Sequence, residues 1–106
     1  MPLPDSDAVG EVARARLDDV IHSPVRLSVV AALAATEEAE FAAVREAVQI
    51  SDSTLSKAVT VLEGAGYVSV RKGYVGKRPR TWLAITSAGR EALRAHLAAL
   101  RAIAGG

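Results

Sequence analysis

The sequence contains no cysteine, and phenylalanine, tyrosine and tryptophan together make up only 4% of its residues. The absence of cysteine excludes disulfide bonds and thiolate metal ligands. Long apolar runs are also missing, since the longest one lies between Arg26 and Glu37 and is shorter than the roughly 18 residues of a membrane span. Half of the residues are hydrophobic, but many of these are alanine. We therefore expect one domain over residues 1–106, with a small core.

Charge of one sign is not in excess, because the chain has a formal net charge of +1 at pH 7. The N-terminal residues lack the charged segment and following apolar segment of a secretory signal, so we expect a cytoplasmic protein. The basic residues are nevertheless unevenly distributed. Five of them fall within residues 71–80, which contain no acidic residue: Arg71, Lys72, Lys77, Arg78 and Arg80. This segment predicts a local positive field.

Apolar residues at helical spacing predict five helices. Residues 1–6 carry two prolines and are expected to form a loose arm. Ser23 stands before a proline, which is typical of a helix start, and Ser51 is predicted to cap a later helix. Thr86 or Ser87 is expected to cap the last one. The predicted helices cover residues 7–22, 24–34, 42–48, 52–64 and 87–104.

The spacing changes to strict alternation after the fourth helix. Val68 and Val70, and later Leu83 and Ile85, recur at every second position, which predicts two half-buried strands. We expect these strands to form a hairpin over residues 67–86.

The segments between these elements are predicted to be turns and loops. The hairpin loop, residues 72–79, is expected to be long and flexible, because it contains two glycines and a proline. The acidic stretch Thr36–Glu40 is predicted to be a turn. The fold class is therefore α+β, mainly helical, with a two-stranded β-hairpin.

Two short helices joined by a few residues, over 42–64, form a helix-turn-helix pattern. The second begins with the residues S-D-S-T-L-S-K. Its helical spacing turns four short or basic side chains away from the core: Ser53, Ser56, Lys57 and Thr60. Short hydroxyl side chains let a helix approach the floor of the major groove and contact base edges or phosphates. The alternative is an ordinary solvated face, but such faces usually carry alternating glutamate and lysine.

The hairpin provides a second basic feature. Its sequence Lys77-Arg78-Pro79-Arg80 can place guanidinium groups on a phosphate backbone or in a minor groove. The alternative is a strand edge protected against aggregation, for which lysine and proline are also used. Five basic residues without an acidic one exceed that need. The hairpin is therefore predicted to contact DNA.

The segment G-Y-V-S-V-R-K-G-Y-V-G-K-R-P-R-T-W-L-A-I-T-S-A-G-R-E-A-L resembles the hairpin and following helix of bacterial MarR/PadR/ArsR-like winged-helix regulators. Two motifs carry the resemblance: Leu62-Glu63-Gly64-Ala65-Gly66-Tyr67 before the hairpin, and Thr86-Ser87-Ala88-Gly89-Arg90 at the start of the last helix. The similarity covers about residues 17–97. It is greatest to the short, stand-alone members, so the ligand pockets of the longer MarR proteins are not carried over.

The resemblance implies a winged helix-turn-helix fold and a DNA-binding regulator of transcription. It places five residues at recognition-helix positions: Ser53, Thr54, Ser56, Lys57 and Thr60. It places three more in the wing: Lys77, Arg78 and Arg80. The alternative function is a winged-helix module that contacts other proteins without reading DNA.

The terminal helices carry narrow apolar stripes. Leu93, Leu97 and Leu100 are spaced four and three residues apart, as in a helix–helix seam. A parallel stripe in the first helix contains Val9, Ala13 and Leu17. These residues are predicted to form a homodimer interface, and the two-fold axis would make the operator an inverted repeat. The alternative is that the last helix packs on its own domain.

Other chemistry is weakly supported. Asp18, Asp19 and His22, together with His96, could form a metal site like those of metal-sensing ArsR-like proteins, but a solvated helix end is the favoured interpretation. We expect no metal, no cofactor and no catalytic activity, because no histidine–acid pair is joined to a serine by a local motif. Trp82 is expected to pack under a terminal helix or a partner subunit. The sequence does not indicate whether a small-molecule effector binds.

Overall fold

The computed structural model of the protein describes residues 12–105. Residues 12–15 are helical. The elements that follow are α1 (Pro24–Ala34), β1 (Ala39–Glu40), α2 (Phe41–Val48), α3 (Asp52–Gly64), β2 (Val68–Val75), β3 (Arg78–Ile85) and α4 (Ser87–Ala104). The predictions for the arm 1–6 and for Val9 lie outside the described residues. The order confirms an α+β winged-helix topology.

Side-chain caps set the starts of three helices. The Ser23 hydroxyl accepts a hydrogen bond from a backbone N–H in the first turn of α1, and a proline occupies the first helical position. Ser51 accepts from the Thr54 N–H at 3.1 Å, and Thr86 accepts from the Gly89 N–H at 3.0 Å. Each bond satisfies an N–H that the helix leaves unpaired. The predicted caps are confirmed, with Thr86 rather than Ser87 before α4.

The core lies between α1, the helix pair α2–α3 and one face of the sheet. Most of its residues are aliphatic and fully or almost fully buried: Val29, Val30, Leu33, Val44, Leu55, Leu62, Val68 and Leu83. Leu93 of α4 is also part of this cluster. The small core therefore already uses the beginning of the last helix.

The sheet has three strands, in the order β1-β3-β2, so the expectation of a two-stranded hairpin alone is wrong. Ala39 and Glu40 pair antiparallel with Leu83 and Trp82 of β3. The predicted turn over Thr36–Glu40 therefore ends in a short strand. Its pairing covers part of the edge of β3 that the hairpin leaves open, an interaction between residues far apart in sequence.

The hairpin is longer and tighter than expected. Strand pairing continues to Val75 opposite Arg78, which leaves only Gly76 and Lys77 in the turn. Gly76 has φ +63°, a left-handed conformation that glycine adopts at little cost. The long, flexible loop predicted for 72–79 is therefore wrong, and most of these residues are in strands.

The base of the hairpin explains the Thr86–Arg90 motif. The Thr86 hydroxyl donates to the Gly66 carbonyl at 2.6 Å while it caps α4. A Cβ atom at Gly89 would clash with the carbonyl of Tyr67. Arg90 donates to the carbonyls of Ala34 and Thr36. The motif thus fixes the start of α4 against both the hairpin and the end of α1.

The first helix ends earlier than predicted. It was expected to continue to His22, but residues 16–23 are not helical. The Asp18 carboxylate accepts hydrogen bonds from the N–H groups of Val20 and Ile21, at 2.9 and 3.3 Å, and from the Tyr67 hydroxyl at 2.6 Å. These contacts stabilise a turn. The hydrogen bond from Tyr67 forms only in the folded chain, because Tyr67 is distant in sequence.

His96 of α4 lies behind this turn and is fully buried. Its Nδ1 accepts a hydrogen bond from the Asp18 N–H at 3.1 Å, so the neutral ring is the form that fits. Its Nε2 has no hydrogen-bond partner among residues 12–105. Burial lowers the pKa of His96 below its ordinary value of 6.5, and the neighbouring His22 lowers it further, whereas Asp18 raises it.

The protein is therefore expected to lose stability as pH falls below about 6.5, because the unfolded chain takes up the proton that folded His96 resists. Thermal unfolding between pH 8 and 5 measures this loss. His96→Asn should flatten the pH dependence. The matched control is His22→Asn, an exposed histidine, which should keep a clear loss. Parallel curves for the wild type and His96→Asn would contradict the assignment.

Candidate nucleic-acid interface

The helix-turn-helix consists of α2 and α3. Helix α2 is followed by Gln49, whose φ of +60° places it in the left-handed region. Arg45 of α2 donates to the Asp52 carboxylate at 2.6 Å, and Asp52 is the first residue of α3. Together with the Ser51 cap, this ion pair fixes the start of α3 relative to α2. Sequence reasoning missed the pair, since the two residues belong to different helices.

The outward face of α3 has the composition that the sequence predicted. Its polar side chains differ in their contacts. Ser51 donates to the Thr54 hydroxyl at 2.9 Å, and Thr54 is half-buried. Thr60 donates to the Ser56 carbonyl at 2.9 Å. Four of the five predicted recognition residues are exposed: Ser53, Ser56, Lys57 and Thr60.

Lys57 lies at the edge of a small cleft between α3 and the start of α1. The cleft has a volume of about 280 Å³ and is also lined by Ser23, Arg26 and Thr54. Two cationic side chains and two hydroxyl groups therefore border one opening. Arg26 already donates to the backbone carbonyls of Val20 and Asp19, at 2.5 and 3.3 Å, so the exposed Lys57 is the cation that can meet an anion at this opening.

The wing consists of β2, β3 and their turn. Lys77 lies in the turn and Arg78 begins β3, and both are exposed, as is Lys72 of β2. Strand pairing holds these residues on a regular frame, because Lys72 is opposite Thr81 in the register. The wing thus presents Lys72 and Arg78 on paired strands and Lys77 in a two-residue turn, instead of in a long loop.

The other two basic residues of the wing are ion-paired. Arg71 forms two hydrogen bonds with the Glu38 carboxylate, at 2.7 and 3.1 Å. Arg80 lies 3.7 Å from the Glu40 carboxylate. The run from Arg71 to Arg80 contains no acid in sequence, but the chain around β1 brings two carboxylates beside it. The predicted positive field is therefore partly neutralised.

These contacts keep the Arg71–Glu38 pair charged. The hydrogen bonds from Arg71 lower the pKa of Glu38, and those to Glu38 raise the pKa of Arg71. Trp82 lies beneath this pair, with the Arg71 guanidinium carbon 4.1 Å from its ring centroid, as in a cation–π contact. Among the described residues the Trp82 ring lies against Arg71 and Gly73, and its packing under a terminal helix or a partner subunit stays a prediction.

An aromatic residue on the wing was also missed. The Tyr74 side chain is 74% exposed, and it lines a cleft of about 680 Å³ together with Lys72, Arg80 and Phe41. The signal was its position in β2, since it continues the alternation of Val68 and Val70 beyond the end of the core. A tyrosine at such a position adds a hydrogen-bonding hydroxyl and an apolar ring to the basic wing.

The terminal stripes are divided between the protomer's own core and its surface. Ala13 and Leu93 are buried, with exposures of 4% and 9%, so the alternative of packing within the domain is correct for Leu93. Leu97 packs partly against the core. Leu17 and Leu100 are half-buried. Ile103, near the end of α4, is 39% exposed and continues the stripe beyond the core.

The structure also bears on the presence of metal sites and membrane-spanning helices. Within residues 12–105, no group of three or more histidine, cysteine or acidic side chains could hold a metal ion. Asp18 and His96 instead hydrogen-bond in the turn described above. No helix in the described part of the chain is long and apolar enough to cross a membrane.

The chain has a short strand, then a helix-turn-helix, then a basic β-hairpin. This order defines the class of winged helix-turn-helix proteins. A family model described as "Winged helix DNA-binding domain" matches residues 25–104. The chain belongs to this family.

Three known proteins illustrate the relationship. An uncharacterized protein of Methanocaldococcus jannaschii is 30% identical over 78 residues, which cover 74% of this chain and 85% of that protein. A transcriptional regulator homologue from Pyrococcus horikoshii has 28% identity and a TM-score of 0.80, with 91% and 95% of the two chains covered. A MarR-family transcriptional regulator from Silicibacter pomeroyi has 21% identity and a TM-score of 0.64, covering 92% of this chain and 65% of its own. The MarR-like winged-helix fold is thereby confirmed.

Proposed function

We propose that the protein binds specific sequences of double-stranded DNA and regulates transcription, with α3 in the major groove and the wing on the phosphate backbone or in the minor groove. The observation that carries the proposal is the pairing of two surfaces. Helix α3 exposes Ser53, Ser56 and Lys57 in its first two turns, and the wing exposes Lys77 and Arg78 at its tip. In winged and simple helix-turn-helix proteins, the beginning of the second helix meets the bases.

The exposed side chains suit the reading of base edges. Ser53 and Ser56 are short, so they hold the α3 backbone close to a groove floor, and each hydroxyl can donate or accept a hydrogen bond. Lys57 adds one cation in the same turn. We assign sequence reading to these residues. Thr54 is half-buried and the Thr60 hydroxyl donates to the Ser56 carbonyl, so we assign these two residues to positioning. The Ser53 hydroxyl contacts the Ser51 hydroxyl at 3.2 Å, but Ser53 is exposed and a base edge can replace this contact.

The wing is assigned to the DNA backbone. Lys72, Lys77 and Arg78 are exposed basic residues, and phosphate contacts provide most of the sequence-independent affinity for DNA. Arg71 and Arg80 are the remaining predicted contacts, and they must leave Glu38 and Glu40 to reach a phosphate. A protein that acts in this way works by binding, without catalysis, in the cytoplasmic compartment where its DNA lies.

We further propose that the protein is a homodimer held by its terminal helices. The supporting observation is the stripe on α4, which continues past the core through Leu100 to the exposed Ile103. A two-fold dimer places two copies of α3 about 34–36 Å apart, which is one turn of DNA. The two helices would then enter successive major grooves on the same side of the duplex, one at each half-site of an inverted repeat.

The reading role of α3 predicts a selective loss of affinity. Ser56→Ala or Lys57→Ala should weaken binding to a selected operator by about 1–3 kcal/mol if a good base contact is lost, with a smaller loss on random duplex. Anisotropy titrations on both duplexes measure this difference. The control is Arg94→Ala, which removes one exposed cation of α4 and should leave the operator preference unchanged. Equal losses on both duplexes would show that these residues only position the backbone.

The same titrations test the alternative of a protein-contact module. A module without DNA reading would show no preference for any duplex after selection. The structure offers no observation that favours it over DNA binding.

A further inference from the structure

The acidic segment before α2 has no role in the function proposed above, yet its carboxylates lie on the wing. Glu38 and Arg71 are 33 positions apart in sequence and form a pair of parallel hydrogen bonds. Glu40 lies opposite Trp82 in the strand register and approaches Arg80. Both glutamates therefore face arginines that would otherwise be free to meet a phosphate.

The two pairs are exposed to solvent. The side chains of Arg71 and Glu38 are 57% and 39% exposed, and those of Arg80 and Glu40 are 36% and 42% exposed. An exposed ion pair stabilises a fold only slightly, and an incoming anion can replace one of its members. A carboxylate group and a phosphate group can each accept two parallel hydrogen bonds from one guanidinium group. The contacts thus allow exchange between Glu38 and a DNA phosphate.

The two glutamates reduce the positive charge of the wing. Residues 71–80 carry five basic side chains and no acid, but Glu38 lies 2.7 Å from Arg71 and Glu40 lies 3.7 Å from Arg80. Sequence-independent DNA affinity increases with the number of phosphates that the protein neutralises. A regulator benefits when this attraction is limited, because non-specific sites on a genome greatly outnumber its operators.

We propose that Glu38 and Glu40 hold Arg71 and Arg80 away from DNA phosphates and so limit the affinity of the wing for DNA of any sequence. This inference rests on the proposed function, since it concerns the same wing. The ligand that competes with the glutamates is the phosphodiester backbone of a duplex.

The test is the variant Glu38→Gln/Glu40→Gln, titrated with a labelled duplex of random sequence between about 50 and 200 mM salt. Each freed arginine that reaches a phosphate steepens the slope of log K against log salt by about 0.9. The double variant should therefore bind more tightly than the wild type, with a slope steeper by up to ~1.8. Glutamine has the size of glutamate, and thermal unfolding checks that the fold is kept.

Two controls separate the pairs from the total charge. Glu91→Gln removes a carboxylate that is also ion-paired and exposed, with Arg94 of α4. It raises the net charge by one, as Glu38→Gln or Glu40→Gln does singly, and should leave the slope almost as in the wild type. Arg71→Ala removes the group that Glu38 holds. In the Arg71→Ala background, Glu38→Gln should give no further gain.

The outcomes are distinct. The proposal is supported if the double variant has a steeper slope, Glu91→Gln does not, and Glu38→Gln gives no gain in the Arg71→Ala background. If the glutamine changes leave duplex binding unaltered or weaken it, this proposal is overturned and the proposed function is kept. The same holds if Glu91→Gln gives an equal gain. Failure of both the wild type and the double variant to bind any duplex overturns the proposed function as well.

Discussion

Alanine in place of Lys77, Arg78 and Arg80 together will weaken binding to every duplex and flatten the slope of log K against log salt by about 2 to 3. Each lost phosphate contact removes about 0.9 from the slope, since fewer counterions are released. Lys77 and Arg78 are exposed and carry most of the effect. Arg80 contributes less if Glu40 still holds it. At about 0.1 M salt, the affinity should fall on the order of 100-fold or more.

The measurement is a salt titration of the wild type and the triple variant on the same duplex. The matched control is Arg71→Ala, because this arginine is in the same basic run but is paired with Glu38. Its slope should change less than that of the triple variant. A triple variant with the slope of the wild type would exclude the wing from DNA binding.

The second large effect concerns the dimer. Leu100→Glu/Ile103→Glu should convert a dimer of about 22 kDa, twice the chain mass of 11.0 kDa, into monomers, because the change places charges in an apolar seam. These two residues are the better choice over Leu97, which packs partly on the domain's own core. Light scattering at micromolar concentration measures the mass.

The dimer prediction has its own control. Val75→Glu also replaces an exposed apolar side chain, 54% exposed on the wing, and should leave the mass unchanged. The monomeric variant should lose most of its operator affinity, since the second half-site no longer benefits from linkage to the first. A wild-type mass near 11.0 kDa would contradict the dimer and the inverted-repeat operator together.

Local signals in the sequence predicted most of the fold. The caps at Ser23, Ser51 and Thr86 need only a hydroxyl and the first turn of a helix, so nearby residues determine them. The alternation around Val68 and Leu83 likewise reports which face of a strand is buried. These elements, and their order, could therefore be predicted without a structure.

Two of the errors share a cause, which is contact between distant segments. Strand β1 contains two residues, and its pairing partner lies more than 40 positions later, in β3. The early end of the first helix depends on Asp18, which bonds to Tyr67 and His96. No local pattern contains such information. The error in the hairpin has another cause. The sequence shows the glycine of the turn, but it does not show how far the flanking strands extend.

The candidate site follows the same rule. Exposure of Ser56, Lys57 and Arg78 could be predicted from helical and strand spacing, since it depends on which face the core occupies. The neutralisation of Arg71 and Arg80 could not, because the glutamates reach them only through the pairing of β1. Charge counted along the sequence therefore overestimates the positive field of the folded wing.

The central claim is that this chain reads the sequence of double-stranded DNA, and repeated selection from a pool of random duplexes tests it most directly. We predict enrichment of one motif, an inverted repeat with half-sites about 10 base pairs apart, and we predict that Lys57→Ala loses or alters this enrichment. Sequences that remain random after several rounds with the folded wild type would contradict the claim.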